Sequence, residues 1–243
     1  MTAVLQSPEG WDDRTRLLLG DEAMERLRRA RVFVAGVGGV GGYAAETLAR
    51  SGVGHLTLVD ADCVAPSNLN RQLIATVPDL GRPKVQLFAE RFAAVNPSMS
   101  VTALQEFITP DNIGPLLAEG YDYVVDAIDT VAPKVSMIAC CMRGRVKIVS
   151  SMGAGGRLDP SKVCCCDLWE TREDGLARAV RVRLKRMGLR RPLHVVASTE
   201  APRKSAVIRL DERNKRSSYG TSMAVPAVFG ICMANKVVLD LTK

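Results

Sequence analysis

The sequence predicts an α/β fold: a doubly wound, mostly parallel sheet with helices on both faces, extended by a C-terminal antiparallel part. Three observations predict it. From Arg31 to Ser151 short apolar runs alternate with helical stretches, the rhythm of βαβ units. The first such run, Val32 to Ala35, breaks into Gly36-Val37-Gly38-Gly39-Val40-Gly41-Gly42 before a helical pattern from Tyr43 to Arg50. A second run, His55 to Val59, then ends on Asp60, which gives strand, glycine turn, helix, strand and acid at the spacing of a nucleotide-binding unit.

That Rossmann-like unit has a specific chemistry. Gly36 lets the chain turn, Gly38 lets backbone N–H groups approach phosphate, and Gly41 permits close helix–strand packing. The helix N-terminus adds partial positive charge. Asp60 is placed to accept hydrogen bonds from a ribose. A glycine turn without a ligand is the bland alternative, and the acid at the right distance argues against it.

With 243 residues, 47% of them hydrophobic, the chain suits a single domain, residues 1–243. We expect a nucleotide-binding half at about 13–156 and a substrate and dimer half at about 157–243. Residues 1–13 read as a frayed arm. No apolar h-region follows a basic start, and no uninterrupted apolar span suggests integral membrane insertion. Seven cysteines, an odd number with adjacent members, make a poor disulfide framework and favour a reducing, cytoplasmic setting. There is no C-x-x-C, which argues against a four-cysteine zinc site. The run Cys164-Cys165-Cys166 reads as a strand with small buried thiols.

Taken in order, a short helix from about Asp21 to Arg29 precedes the glycine unit. After Asp60 and Asp62 comes a polar, Pro-broken loop carrying Ser67, Asn68, Arg71 and Gln72, at the strand end where such sheets bind ligands. Lys84 opens a helix to about Val95. Either Arg71 or Lys84 alone reads as solvated charge; together they can neutralise a triphosphate. A third strand covers Ser100 to Phe107, and Thr109 or Asp111 is the expected N-cap of a short helix. A fourth strand, Tyr121 to Asp129, carries Asp126 and Asp129 at its end. Of these, Asp129 is assigned to a magnesium ion bridging phosphates and Asp126 to structure. A helix from about Pro133 to Arg143 and a strand from Lys147 to Ser151 complete this half.

Beyond it, strands at about Gly156 to Leu158 and Lys162 to Asp167 are expected to pair antiparallel. A basic amphipathic helix follows, about Asp174 to Met187, then strands at Leu193 to Thr199 and near Ala206 to Leu210. The apolar stretch Ser222 to Leu241, interrupted by Pro226, Asn235 and Lys236, reads as a core or interface helix. Between Arg172 and Arg216 lie 14 Lys/Arg and 5 Asp/Glu, a surplus of nine that exceeds the +7 of the whole chain. The basic character is therefore concentrated there, as a polyanion-binding surface would have it.

A nicotinamide oxidoreductase would share the glycine unit, but Arg71, Lys84 and Asp129 are tools for a triphosphate and its magnesium ion. They point to AMP transfer onto a carboxylate. Gly36-x-Gly38-Gly39-x-Gly41, Asp60, Ser67-Asn68-x-x-Arg71-Gln72, Lys84 and Asp126-x-x-Asp129 together resemble the ubiquitin-activating-enzyme-like adenylyltransferase superfamily. Asn68-Leu69-Asn70-Arg71-Gln72, Ile108-Thr109-Pro110-Asp111-Asn112, Gly153-Ala154-Gly155-Gly156 and Ser198-Thr199-Glu200-Ala201 narrow the resemblance to its tRNA threonylcarbamoyladenosine dehydratase family. The resemblance runs from about Asp13 to Leu241. It implies an ATP site made of Gly36, Gly38, Gly39, Gly41, Asp60, Asp62, Asn68, Arg71, Gln72, Lys84 and Asp129. Arg14, Arg71, Lys84 and Asp129 take catalytic roles in it, with Arg14 reaching into the partner subunit of a homodimer. It further implies ATP and Mg2+ as cofactors, a monovalent cation left open, tRNA as substrate through its anticodon loop, and a secondary link to a cysteine desulfurase. The competing readings are an adenylyltransferase for a ubiquitin-like sulfur carrier and a scaffold in sulfur trafficking.

Overall fold

The computed structural model describes residues 10–212 and 215–243, with side chains described outside 208–218. Residues 1–9 of the expected arm, Arg213 and Asn214 lie outside the described residues. The rest of that arm is a turn, closed by Gly10 N–H donating to Asp13 Oδ2 at 2.7 Å.

One seven-stranded sheet organises the chain. Its strands are β1 (Arg31–Ala35), β2 (His55–Val59), β3 (Ser100–Leu104), β4 (Tyr123–Asp126), β5 (Lys147–Ser151), β6 (Val163–Asp167) and β7 (His194–Ser198). They stand in the order β3-β2-β1-β4-β5-β7-β6, all parallel except β6, which runs antiparallel to β7. Strand order reverses between β1 and β4, so the crevice beyond their carboxyl ends is the expected ligand site. Alternation along β1 feeds two cores. Val32 and Val34 face one side with α2 (Asp21–Arg29), α3 (Gly41–Arg50), α4 (Lys84–Val95) and α8 (Ala224–Leu241). Phe33 and Ala35 face the other, with α5 (Ile113–Leu117), α6 (Val131–Gly144) and α7 (Gly175–Arg186). By length and composition α8 is apolar and long enough to cross a membrane. Here it lies against α3, where a Cβ at Gly230 would meet Val40 O at 2.2 Å.

Several expectations are corrected. The residues leading into α2 form a helix of their own, α1 (Asp13–Leu19). The strand expected at 156–158 does not form, and the partner of β6 is β7, with Cys164 opposite Ala197. The reason is local: Gly156 takes φ +75°, and the Glu200 carboxylate accepts the N–H groups of Leu158 (3.0 Å) and Asp159 (2.9 Å) that a ladder would need. Because β6 is an edge strand, Cys164 and Cys166 are half-buried and Cys165 is exposed, rather than all three being buried. The third strand stops at Leu104. The fourth stops at Asp126, which leaves Asp129 on the turn that follows. Asn112, not Thr109 or Asp111, precedes α5, and it exchanges hydrogen bonds with Thr109. The strand expected near Ala206 to Leu210 is one arm of a hairpin, β8 (Val207–Glu212) with β9 (Lys215–Tyr219).

Candidate active site

The glycine turn sits at the carboxyl end of β1, between β2 and β4. Gly36 has φ +83°, a left-handed value natural to glycine, and its N–H donates to Val59 O at 2.8 Å. A Cβ at Gly41 would lie 1.8 Å from Gly36 O, so α3 can leave the strand this closely only with glycine there. No side chain caps the N-terminus of α3, which leaves first-turn N–H groups and the positive end of the helix dipole aimed at the crevice. Around Gly38 and Gly39 a Cβ would touch only side chains, Gln72 Nε2 at 3.7 Å and Arg71 Cγ and Pro226 Cβ at 3.6 Å. Loop and α8 thus close over the turn.

Asp60 follows β2 and ties the turn to it. Its carboxylate accepts the N–H of Val37 (2.8 Å) and of Asp62 (2.9 Å). Burial pushes its pKa up; Lys84 and these two N–H groups pull it down without fully cancelling the rise. Asp62, itself exposed, pairs with Lys84 Nζ at 2.7 Å, and Lys84 is 2% exposed at the start of α4. The loop between them is shaped by a 3-10 turn, Pro66–Asn68, whose buried Asn68 accepts the Ala65 N–H at 3.1 Å. Arg71 is held over Gly39 by bonds to Ser67 O (2.6 Å) and Asn70 Oδ1 (3.0 Å). Gln72 is buried beside Gly38, and its Oε1 has no hydrogen-bond partner. An orphaned buried acceptor beside an open glycine cradle fits a polar ligand seated there.

On the other flank, Ala127 O lies 3.2 Å from where a Cβ at Gly36 would stand, so the turn after β4 abuts the glycine turn. Asp129 is exposed on it, and Thr130 Oγ1 donates to its carboxylate at 3.2 Å. Beneath lies a buried triad: Lys134 Nζ donates to Asp126 Oδ2 (2.7 Å) and Ser150 Oγ (3.0 Å), and Ser150 Oγ to Asp126 Oδ2 (2.6 Å). All three residues are 0% exposed. Arg14 stands apart. It is exposed on α1, a helix fixed by Asp12 to Arg28 (2.8 Å) near the edge where the strands begin.

The structure therefore gathers Gly36, Gly38, Gly39, Gly41, Asp60, Asp62, Asn68, Arg71, Gln72, Lys84 and Asp129 around one crevice and leaves Arg14 outside it within a single chain. Among the described residues no group of three His, Cys, Asp or Glu side chains is arranged to hold a metal ion. A second fastening escapes the sequence reading. Arg157, 3% exposed, donates to Ser198 O (2.7 Å), Glu200 O, Glu173 O (3.1 Å) and Asp174 Oδ2 (3.1 Å). Asp174 in turn caps α7 at Ala177 N (2.8 Å) and accepts Gly153 N (2.9 Å) just beyond β5. Partners so far apart in the chain give no local signal, whereas Lys134 stands only eight residues after Asp126 and could be paired with it by inspection.

The whole chain is similar to known proteins. The ThiF family model matches residues 13–238. A Bacillus subtilis (strain 168) tRNA threonylcarbamoyladenosine dehydratase is 39% identical over 241 residues, covering 95% of this chain and 94% of that protein. The crystal structure of the E. coli tRNA N6-threonylcarbamoyladenosine dehydratase in complex with ATP superposes with a TM-score of 0.87 at 36% identity, over 98% of this chain and 97% of that one. The E. coli molybdopterin-synthase adenylyltransferase, 36% identical, matches only 57% of this chain and 54% of its own length. With a family model spanning the crevice, both cores and most of the final helix, the chain belongs to the ThiF family.

Proposed function

We propose that this protein is an ATP-dependent dehydratase that cyclises threonylcarbamoyladenosine in the anticodon loop of tRNA. The observation that carries the reading is likeness over 94% of a dehydratase's length, against 54% for the molybdopterin-synthase type of relative. ATP is consumed as a substrate. In this reading the α3 N-terminus and the glycine cradle receive its phosphates, Asp60 its ribose hydroxyls, and Asn68 and Gln72 shape the wall. Arg71 and Lys84 offset the charge of the departing pyrophosphate. The threonyl carboxylate attacks the α-phosphorus, and the P–O bond to the pyrophosphate breaks, leaving an acyl-adenylate. An atom of the carbamoyl group then attacks the acyl carbon, AMP departs, and the ring closes with net loss of water. The nucleophile belongs to the substrate, so no cysteine is required. A magnesium ion accompanying the nucleotide would supply charge neutralisation, and Asp129 is the residue that would hold it. Residues 13–156 carry the nucleotide and 157–243 the RNA and the dimer contact, in a cytoplasmic setting. Arg14 serves the site of the partner subunit.

The test is purified protein with ATP, Mg2+ and tRNA carrying the threonylcarbamoyl group, read by nucleoside mass spectrometry. Loss of one water with release of AMP is expected; an unchanged nucleoside overturns the reading. ATP–pyrophosphate exchange that depends instead on a peptide ending in Gly-Gly would favour the sulfur-carrier alternative. Mixing Arg14→Ala and Asp129→Ala subunits is expected to restore part of the turnover that each lacks alone. Verified mixed dimers without activity would refute a role for Arg14 across the dimer.

A further inference from the structure

Several surface arginines of this protein are spoken for. Arg16, Arg26, Arg28, Arg50 and Arg82 each pair with a carboxylate on a neighbouring turn or element. The far ends of α6 and α7 differ. Arg143, Arg145 and Lys147 at the end of α6, and Lys185, Arg186 and Arg190 at the end of α7, are all exposed. Among the described residues none of the six has a side-chain hydrogen bond or ion pair, while acids nearby are already engaged. Asp122 accepts the Arg31 N–H, Glu119 pairs with the Arg31 side chain, and Asp167 accepts the N–H groups of Trp169 and Leu193.

The two clusters form one patch. Both helices run from the carboxyl edge of the sheet back to the edge where strands begin: α6 ends just before Lys147 opens β5, and α7 ends shortly before His194 opens β7. Arg191 reaches from the second helix end to Met142 O of the first (3.4 Å) and joins them. Favourable interaction with two helix dipoles accounts for a cation or two, not for six mutually repelling ones. Nor do the phosphates of ATP account for them, since the glycine cradle lies at the opposite edge. α7 begins near that edge, where Asp174 holds Gly153, and its 12 residues carry the chain back by ~18 Å.

We propose that the cationic patch where the ends of α6 and α7 meet grips the phosphate backbone of the tRNA at a distance from the reacting nucleoside. This rests on the RNA reading of the active site and extends it to a second point of attachment, with α7 as the spacer between them. A backbone grip of this kind reads charge and shape rather than sequence, so one surface can serve several tRNAs.

The test is a triple variant, Arg143→Glu, Arg186→Glu and Arg190→Glu, with all three positions exposed. Affinity for threonylcarbamoylated tRNA is measured by fluorescence anisotropy across a salt series, with ATP binding and turnover on a short anticodon-loop hairpin alongside. The expected result is tRNA binding weakened by about tenfold or more and a shallower salt dependence, by about 0.7 to 0.9 in log–log slope for each phosphate no longer neutralised. ATP affinity and hairpin turnover stay at wild-type level, because a short hairpin does not span the helix. Unchanged tRNA affinity and slope overturn the proposal, as does an equal weakening on the hairpin. Retained tRNA binding with abolished binding to phosphatidylserine vesicles would assign the patch to a membrane surface instead. If the wild type binds tRNA through the patch but performs no dehydration, the patch stands and the reaction assigned above fails.

Discussion

Two buried ion pairs fasten the rim of the crevice, and they are built in opposite ways. On the nucleotide side, Lys134 and Asp126 come from one strand–turn–helix unit and share Ser150. The triad is compact and each polar end in it is satisfied. On the substrate side, Arg157 and Asp174 gather backbone from several separate segments, and Arg157 Nε is left buried without a partner. The first pair fixes one turn, the one that carries Asp129 against the glycine cradle. The second fixes the relation between β5, the loop after β7 and the start of α7. For the proposed reaction, a compact rim beside the glycine cradle and an assembled rim beyond β5 suit a site that holds one constant reagent and admits a large RNA.

The most damaging single change is Lys134→Met, which leaves the Asp126 carboxylate buried without its cation. Such a break costs about 3–5 kcal/mol, so the urea midpoint is expected to fall steeply. Removing the charge on both sides, with Lys134→Met and Asp126→Leu together, is expected to recover most of the stability but not the turn that presents Asp129. Stability without ATP-dependent turnover is the predicted outcome for the double variant. Full activity in it would mean that the triad is only core packing.

Arg157→Lys probes the other rim with a smaller effect. The charge remains, but a single ammonium cannot reach the carbonyls of Glu173, Ser198 and Glu200 together with Asp174, and the expected loss is about 2 kcal/mol. Because the pair holds the start of α7, tRNA affinity is expected to weaken while ATP affinity is kept. Equal weakening of both would erase the distinction drawn between the two rims.

The same contrast explains what is legible in the sequence. The glycine turn, Asp60 and the start of α4 at Lys84 are legible because each depends on neighbours within a few residues and on well-known spacing. Asp126 reads as structural, and its burial with Lys134 supplies the reason. The substrate rim is not legible. Arg157 meets Asp174, Ser198 and Glu200 across 17, 41 and 43 residues, and nothing in its surroundings in the sequence marks it as buried. The strand expected at 156–158 fails for the same cause, since distant Glu200 captures the N–H groups that pairing would use. The hairpin is half legible, with β8 visible and β9 hidden in a run of charges.

The smallest expected effect lies on the outer wall of the nucleotide side. Glu46 on α3 accepts Arg50 Nε (2.7 Å) from its own helix and Arg91 Nε (2.7 Å) and Nη2 (2.9 Å) from α4, clamping the helix that carries the glycine turn. Burial pushes the Glu46 pKa up, but the bonds from Arg91 and Arg50 outweigh it and hold the carboxyl below its usual range. A depressed folded pKa means that the folded state binds fewer protons than the unfolded chain. The clamp therefore contributes fully above the unfolded pKa, about 4.3, and is lost as pH falls through the folded value. Asp60 has the opposite sign: its raised pKa makes ionisation at neutral pH a cost of folding, one that a ligand hydroxyl donating to it would offset. Glu46→Gln is expected to lower stability by about 1 kcal/mol at pH 7, with the gap to wild type closing in acid below the usual carboxylate range. Urea unfolding of both proteins across about pH 3 to 8 measures it, and a gap that does not change with pH would assign the loss to packing rather than charge.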